Sequence, residues 1–198
     1  MKPEVQLILA SASPRRKVLL EQIGYSFQVI PSHVNEPPYD GHDPALYATE
    51  LATIKAGEIS KEYPHALVVG ADTIVVIGEE VLGKPENDAA AYKMLHQLSG
   101  QNHQVITAYA FHLKASNIKA VHHVLTQVHF KQLHPDEIKF YIDSRAPFDK
   151  AGAYGIQDYS SVFVDRIEGC FYNVVGLPLS DFNEKLNMLL QHHALTLI

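Results

Sequence analysis

Residues 5–11, Val-Gln-Leu-Ile-Leu-Ala-Ser, form an apolar run that stops at Ser-Ala-Ser-Pro and passes at once into a helical stripe of Val18, Leu19, Leu20 and Ile23. Apolar residues at successive rather than alternate positions predict a short strand buried on both faces. Ser13 suits a helix N-cap, Pro14 the first helical position, and Gly24 the stop. Arg15, Arg16 and Lys17 then crowd the positive pole of that helix. Each misplaced cation costs about 0.3–1 kcal/mol against the dipole. A bound phosphate reverses that sign: it meets free backbone N–H groups, the dipole, and arginine hydrogen bonds worth about 1.5–3 kcal/mol each. Alone, the triplet is read equally well as three side chains in solvent. It is no Walker loop, because G-x-x-x-x-G-K-[ST] does not occur.

The rest of the chain alternates helical and strand patterns. Residues 25–32 read as a strand, and 32–43, with Pro37, Pro38 and Gly41, as a loop. Tyr47, Leu51 and Ile54 predict a helix from Pro44 to about Glu62. Residues 66–72 and 73–82 are β-rich, with a hairpin turn at Gly78-Glu79. Asn87-Asp88 opens a helix through Ala90, Met94, Leu95 and Leu98 that ends near Gly100. Residues 103–114 and 119–131 predict an antiparallel hairpin, and Pro135 begins a short helix. After the Gly-rich stretch 149–157, strands are expected at 161–167 and 170–175, and a last helix from Pro178 carries Phe182, Leu186 and Leu189. This mixture of βα units and hairpins predicts an α/β fold with a mixed sheet in two lobes, as one domain over residues 1–198.

A formal net charge of -6 excludes any bulk electrostatic case for binding nucleic acid or an anionic membrane. The cations at 15–17 are therefore a local feature. One cysteine, Cys170, permits no internal disulfide and points to a reducing compartment, and it reads as a small hydrophobe rather than a nucleophile. The first residues lack the apolar core of a signal peptide, and no run reaches transmembrane length, so a cytoplasmic location is expected. The twelve histidines match no zinc spacing and read as surface or strand-face residues.

Four further stretches carry chemistry. In V-V-G-A-D-T, Asp72 is expected at the end of an apolar strand, where open α/β sheets place ligands, and Gly70 permits close backbone approach. By itself Asp72 reads equally as a turn-former. Lys84, in L-G-K-P, lies just before a helix start and could be an ordinary loop lysine. In D-K-A-G-A-Y-G-I-Q, Gly152 and Gly155 predict backbone packed against a ligand or another segment. Gln157 can donate and accept, which suits reading the edge of a base. With phosphates present, Asp72 and Glu36 form a carboxylate pair suited to a hard cation.

Together S-x-S-P-R-R, V-x-E at 34–36, G-A-D-T-I-V at 70–75, L-G-K-P at 82–85 and D-K-A-G-A-Y-G-I-Q at 149–157 resemble the Maf family in order and spacing. L-S-G-x-x-H at 98–103 and V-G-L-P at 175–178 extend the match over essentially the whole chain. The resemblance implies a nucleoside triphosphate pyrophosphatase, releasing monophosphate and pyrophosphate with Mg²⁺ or Mn²⁺. It implies the fold of inosine triphosphate pyrophosphatases, an elongated mixed β-sheet with flanking helices and two lobes around a cleft, and a homodimer. Arg15, Thr73 and Gln157 match the branch associated with dTTP and UTP, where the 7-methyl-GTP branch carries Trp, Gln and Glu. The residues at 158–161, Asp-Tyr-Ser-Ser, depart from the glycine-containing stretch common in relatives. On this reading Arg15, Arg16, Lys55 and Lys84 neutralise the triphosphate, and Ser11 and Ser13 cradle phosphate oxygens. Asp72 and Glu36 share the roles of general base and metal ligand in either order. Two rivals stand beside it: a nucleotide-binding regulator of cell division with little turnover, and a pyrophosphatase for the deaminated purines ITP and XTP.

Overall fold

In the computed structural model, which describes residues 2–198, the elements run β1 (Glu4–Val5), β2 (Leu7–Leu9), α1 (Pro14–Gln22), β3 (Gln28–Val29) and α2 (Pro44–Glu62). They continue with β4 (Leu67–Ile77), β5 (Glu80–Leu82), α3 (Asp88–Leu98), β6 (Asn102–Leu113), β7 (Ile118–Phe130) and α4 (Pro135–Asp143). After a series of 3-10 turns come β8 (Val164–Glu168), α5 (Phe171–Val175), α6 (Leu179–His192) and β9 (Thr196–Leu197). A seven-stranded mixed sheet has the order β3-β2-β4-β6-β7-β8, with β5 hydrogen-bonded to β4. β3, β2 and β4 are parallel and the other pairs antiparallel. Near the chain ends, β1 and β9 form a separate parallel pair.

β4 is apolar at nearly every position because both of its faces are covered. Leu67, Val69 and Ala71 join Leu7, Leu9, Tyr109, Phe111 and Phe182 in the core beneath α1 and α6. Val68, Ile74 and Val76 face the other way and pack with Leu51, Ala52 and Ala56 of α2. The far half of the long strands builds a third core with α3 and α4 around Val75, Leu95, Tyr141 and Phe163. The sheet thus runs through both lobes. Among the described residues no helix is long and apolar enough to cross a membrane.

Several expected boundaries move. The two β-rich stretches 66–72 and 73–82 are one strand up to Ile77, turning at Gly78-Glu79 into β5, so Asp72 lies mid-strand and not at a strand end. The run 5–11 is divided at Gln6, since Glu4 and Val5 pair with β9 while Leu7 to Leu9 pair with β4. Of residues 25–32 only Gln28–Val29 is strand, and 159–163 form a 3-10 turn before β8. Residues 170–175, strand-like in composition, form helix α5, because the buried Asn173 side chain bonds β6 and β7 and fixes the segment against the sheet. Tertiary hydrogen bonds there outweigh β-propensity.

The close approach expected at Gly70 is that of helix α2. A Cβ on Gly70 would stand 2.3 Å from the Ala52 carbonyl oxygen and 2.5 Å from the Ala56 nitrogen. Gly70→Ala therefore lowers stability in urea unfolding by about 2 kcal/mol or more, since overpacking typically costs about 1–3. Gly57, inside α2, faces only the His112 ring at 3.6 Å. Gly57→Ala raises stability in the same assay by about 0.5–1 kcal/mol through helix propensity.

Candidate active site

The site begins with unequal strand lengths. β2 pairs with β4 only as far as Leu9 opposite Val69, and β5 takes up the same edge only from Val75. Between them, among the described residues, the edge of β4 over 70–74 has no strand partner. Asp72 and Thr73 lie in this gap on opposite faces of the strand, and both line a cleft of about 810 Å³. All ten residues singled out from the sequence, Ser11, Ser13, Arg15, Arg16, Glu36, Lys55, Asp72, Thr73, Lys84 and Gln157, line that one cleft. Its size suits a nucleotide-sized ligand.

On the α2 side, Lys55 follows Leu51 by one helical turn and so lies on the buried stripe of the helix. Its ammonium bonds Asp72 Oδ1 at 2.6 Å and Glu36 Oε1 at 2.7 Å. Asp72 is 9% exposed, whereas the Glu36 side chain is half-exposed. Burial raises the Asp72 carboxyl above the ordinary aspartate range, and the charges of Lys55 and Arg16 only partly oppose it. Asp72 is thus more basic than an ordinary aspartate and stands beside a lysine.

On the α1 side the cation triplet divides. Lys17 points to solvent and pairs with Glu21 at 3.7 Å. Arg15 reaches the opposite wall, where Asp149 Oδ2 accepts at 2.8 Å. Arg16 turns inward. Its Nε donates to the Gly176 carbonyl at 2.9 Å, Nη1 to Ser11 Oγ at 3.0 Å and Nη2 to Thr73 Oγ1 at 2.9 Å. Burial draws its pKa down, with Asp72 opposing, yet guanidinium stays charged at any working pH. Ser13 caps α1 by accepting from the Arg16 backbone N–H at 3.5 Å, and Ser11 accepts from the Ser13 backbone N–H at 3.2 Å. Toward the described residues both serine hydroxyls act only as acceptors. Their protons remain to be donated to an anion.

The third wall comes from the segment after β5 and from the Gly-rich stretch. Lys84 and Gln157 are both exposed and form no side-chain hydrogen bond or ion pair with the described residues. Gly152, at φ 66°, packs on Val75 of β4, so another segment explains that glycine, whereas Gly155 packs on the stem of Lys150 within its own stretch. Lys150, within the same stretch, also lines the cleft, and the glycine pattern of the motif does not single it out. Its largely buried ammonium bonds Asp149 at 2.6 Å and Asp158 at 3.2 Å, and so braces the wall that Arg15 meets. Although burial alone would raise it, hydrogen bonds from Lys150 and Arg15 hold the Asp149 carboxyl below its ordinary range. Only the alternation of Asp149, Lys150 and Asp158 hinted at this brace. Asp158 caps the following turn by accepting from Ser160 N at 3.0 Å.

The family model described as Maf-like protein matches residues 6–189. The chain belongs to the Maf family. This Maf chain is 45% identical over 172 residues to the dTTP/UTP pyrophosphatase of Syntrophomonas wolfei subsp. wolfei, covering 87% of itself and 91% of that protein. It is 48% identical over 174 residues to the dTTP/UTP pyrophosphatase of Symbiobacterium thermophilum, covering 88% and 89%. Among solved structures it is similar to a HAM1 protein from Coxiella burnetii, with TM-score 0.50 and 15% identity over 95% of this chain and 99% of that one. At that identity the likeness shows a shared fold.

The raised Asp72 carboxyl has a consequence for stability in the Maf chain. A fold that favours the neutral acid loses stability as pH rises from the ordinary aspartate value through the raised one. Asp72→Asn carries no such loss. In urea unfolding between pH 4 and pH 7, the variant gains on the wild-type chain as pH rises. A gap that stays constant or narrows contradicts the burial argument.

Proposed function

We propose that the chain is a cytoplasmic enzyme that hydrolyses dTTP and UTP to the monophosphate and pyrophosphate. The observation that carries this reading is the convergence, in one cleft, of Arg15, Arg16, Lys55 and Lys84 with the carboxylates Asp72 and Glu36. The relatives, which are dTTP/UTP pyrophosphatases, supply the choice of nucleotides. Every group named comes from one chain, so the homodimer that the resemblance implies adds none of them.

Arg16, Ser11 and Ser13 hold the phosphates at the α1 end, and Arg15 and Lys84 neutralise the charge that develops on the departing pyrophosphate. Water attacks the α-phosphorus in line as the bond to the bridging oxygen breaks, and Asp72 accepts the proton of that water. Its raised basicity and buried position suit the role better than the half-exposed Glu36 does. Gln157 meets the base from the opposite wall.

Two carboxylate oxygens brought to one ammonium form a hard-oxygen pair that fits a divalent cation, which usually takes one or two carboxylates plus phosphate oxygens. Among the described residues no group of three or more His, Cys, Asp or Glu is gathered. Glu36 and Asp72 would hold Mg²⁺ or Mn²⁺ together with the substrate's own oxygens. The ion would supply charge neutralisation at the phosphates.

Asp72→Asn keeps its folded circular dichroism spectrum and loses turnover by about 10²-fold or more, measured as pyrophosphate release from dTTP. Near-normal release removes Asp72 from the chemistry. In the same assay the wild-type chain turns over dTTP and UTP in preference to ITP and XTP. Preference for the purines supports the house-cleaning rival, and tight binding without turnover supports the regulator. Arg15→Trp shifts the dTTP-to-GTP turnover ratio, whereas an unchanged ratio leaves Arg15 a holder of charge alone.

A further inference from the structure

The polar groups behind the cleft form a single chain of hydrogen bonds that ends on Arg16. Thr73 and Thr107 are cross-strand partners in β4 and β6, with hydroxyl oxygens 2.9 Å apart. The Thr107 hydroxyl donates to the Asn173 carbonyl at 2.8 Å. A carbonyl only accepts, and a hydroxyl has one proton to give. The bond between the two threonines is therefore donated by Thr73. Its proton points into the sheet, and toward the cleft Thr73 offers only lone pairs, one of them taken by Arg16 Nη2 at 2.9 Å.

Asn173 is held as firmly. Its amide donates to the Val105 carbonyl at 2.9 Å and to Thr126 Oγ1 at 3.0 Å, and its Oδ1 accepts from the Thr107 backbone N–H at 3.2 Å. Thr107, Thr126 and Asn173 are all fully buried. In such a place an unmade hydrogen bond is costly, so the direction of the chain is fixed. The contrast with Ser11 and Ser13 is chemical. They accept from the protein and keep a proton for an anion, whereas Thr73 has none left for a phosphate oxygen.

We propose that Thr107 and Asn173 are positioning residues that commit the Thr73 proton inward, so that Thr73 serves the substrate only by anchoring Arg16. This rests on the reading of Arg16 as a phosphate holder. Thr73 is then part of the anion clamp and makes no bond to phosphate itself.

The test is calorimetric binding of the non-hydrolysable analogue α,β-imido-dUTP with Mg²⁺ to the full chain. Thr107→Val weakens binding by roughly tenfold, the scale of one lost hydrogen bond to a charged group, and Thr107→Ser restores it. In an Arg16→Ala background, Thr107→Val changes binding by less than about twofold, because the two substitutions act through one path. Thr73→Val behaves likewise beside Arg16 and without it, which keeps the test open should Thr107→Val not fold. An equal loss in both backgrounds, or no rescue by serine, overturns the proposal. A wild-type chain that binds no analogue overturns the functional reading instead, and the proposal falls with it.

Discussion

The structure depends on one mismatch: β4 runs for eleven residues while its parallel neighbour β2 runs for three. A strand covered on both faces cannot carry an aspartate at its centre unless the charge finds a partner or the cover is opened. Here both occur. Where β2 stops, the chain departs into the Ser-Ala-Ser-Pro loop and α1, and the uncovered edge of β4 becomes the floor of the cleft. Gly70, two residues before Asp72 on the same face, brings α2 close enough for Lys55 to reach that carboxylate. The site follows from the packing.

Charge compensation holds such a cluster together. Lys55 answers Asp72 and Glu36, Asp149 answers Arg15 and Lys150, and Arg16 is held by three neutral oxygens. Of the cleft cations, Arg16 and Lys84 have no carboxylate within ion-pair distance among the described residues. These two leave an electropositive surplus for an anionic ligand. Arg16 is rigid because its bonds fix it from three directions, whereas Lys84 is exposed on the segment after β5. A donor fixed from three directions suits positioning.

Much of this was legible in the residues. Ser13 and Pro14 take the cap and first helical positions that their chemistry predicts. The triplet was nevertheless three different things, an inward clamp, a reach across the cleft and a solvent residue, and helical phase alone could not separate adjacent positions. The centre of the site escapes the pattern for a related reason. The charge of Asp72 interrupts an apolar run and so predicts a strand end, but β4 continues through it, and the interruption is in the length of its neighbour β2. α5 was hidden by its own composition, Phe-Tyr-Asn-Val-Val, and declared itself only through the bonds of Asn173 across the sheet. Lys150 was hidden because its bonds to Asp149 and Asp158 form only when the Gly-rich stretch folds back.

On the proposed function, the cleft directs water to the α-phosphorus of a bound triphosphate. Hydrolysis of dTTP in oxygen-18 water, with the products separated and weighed by mass spectrometry, tests it most directly. One heavy oxygen is expected in the nucleoside monophosphate and none in the pyrophosphate. Label in pyrophosphate, or release of orthophosphate, would contradict it.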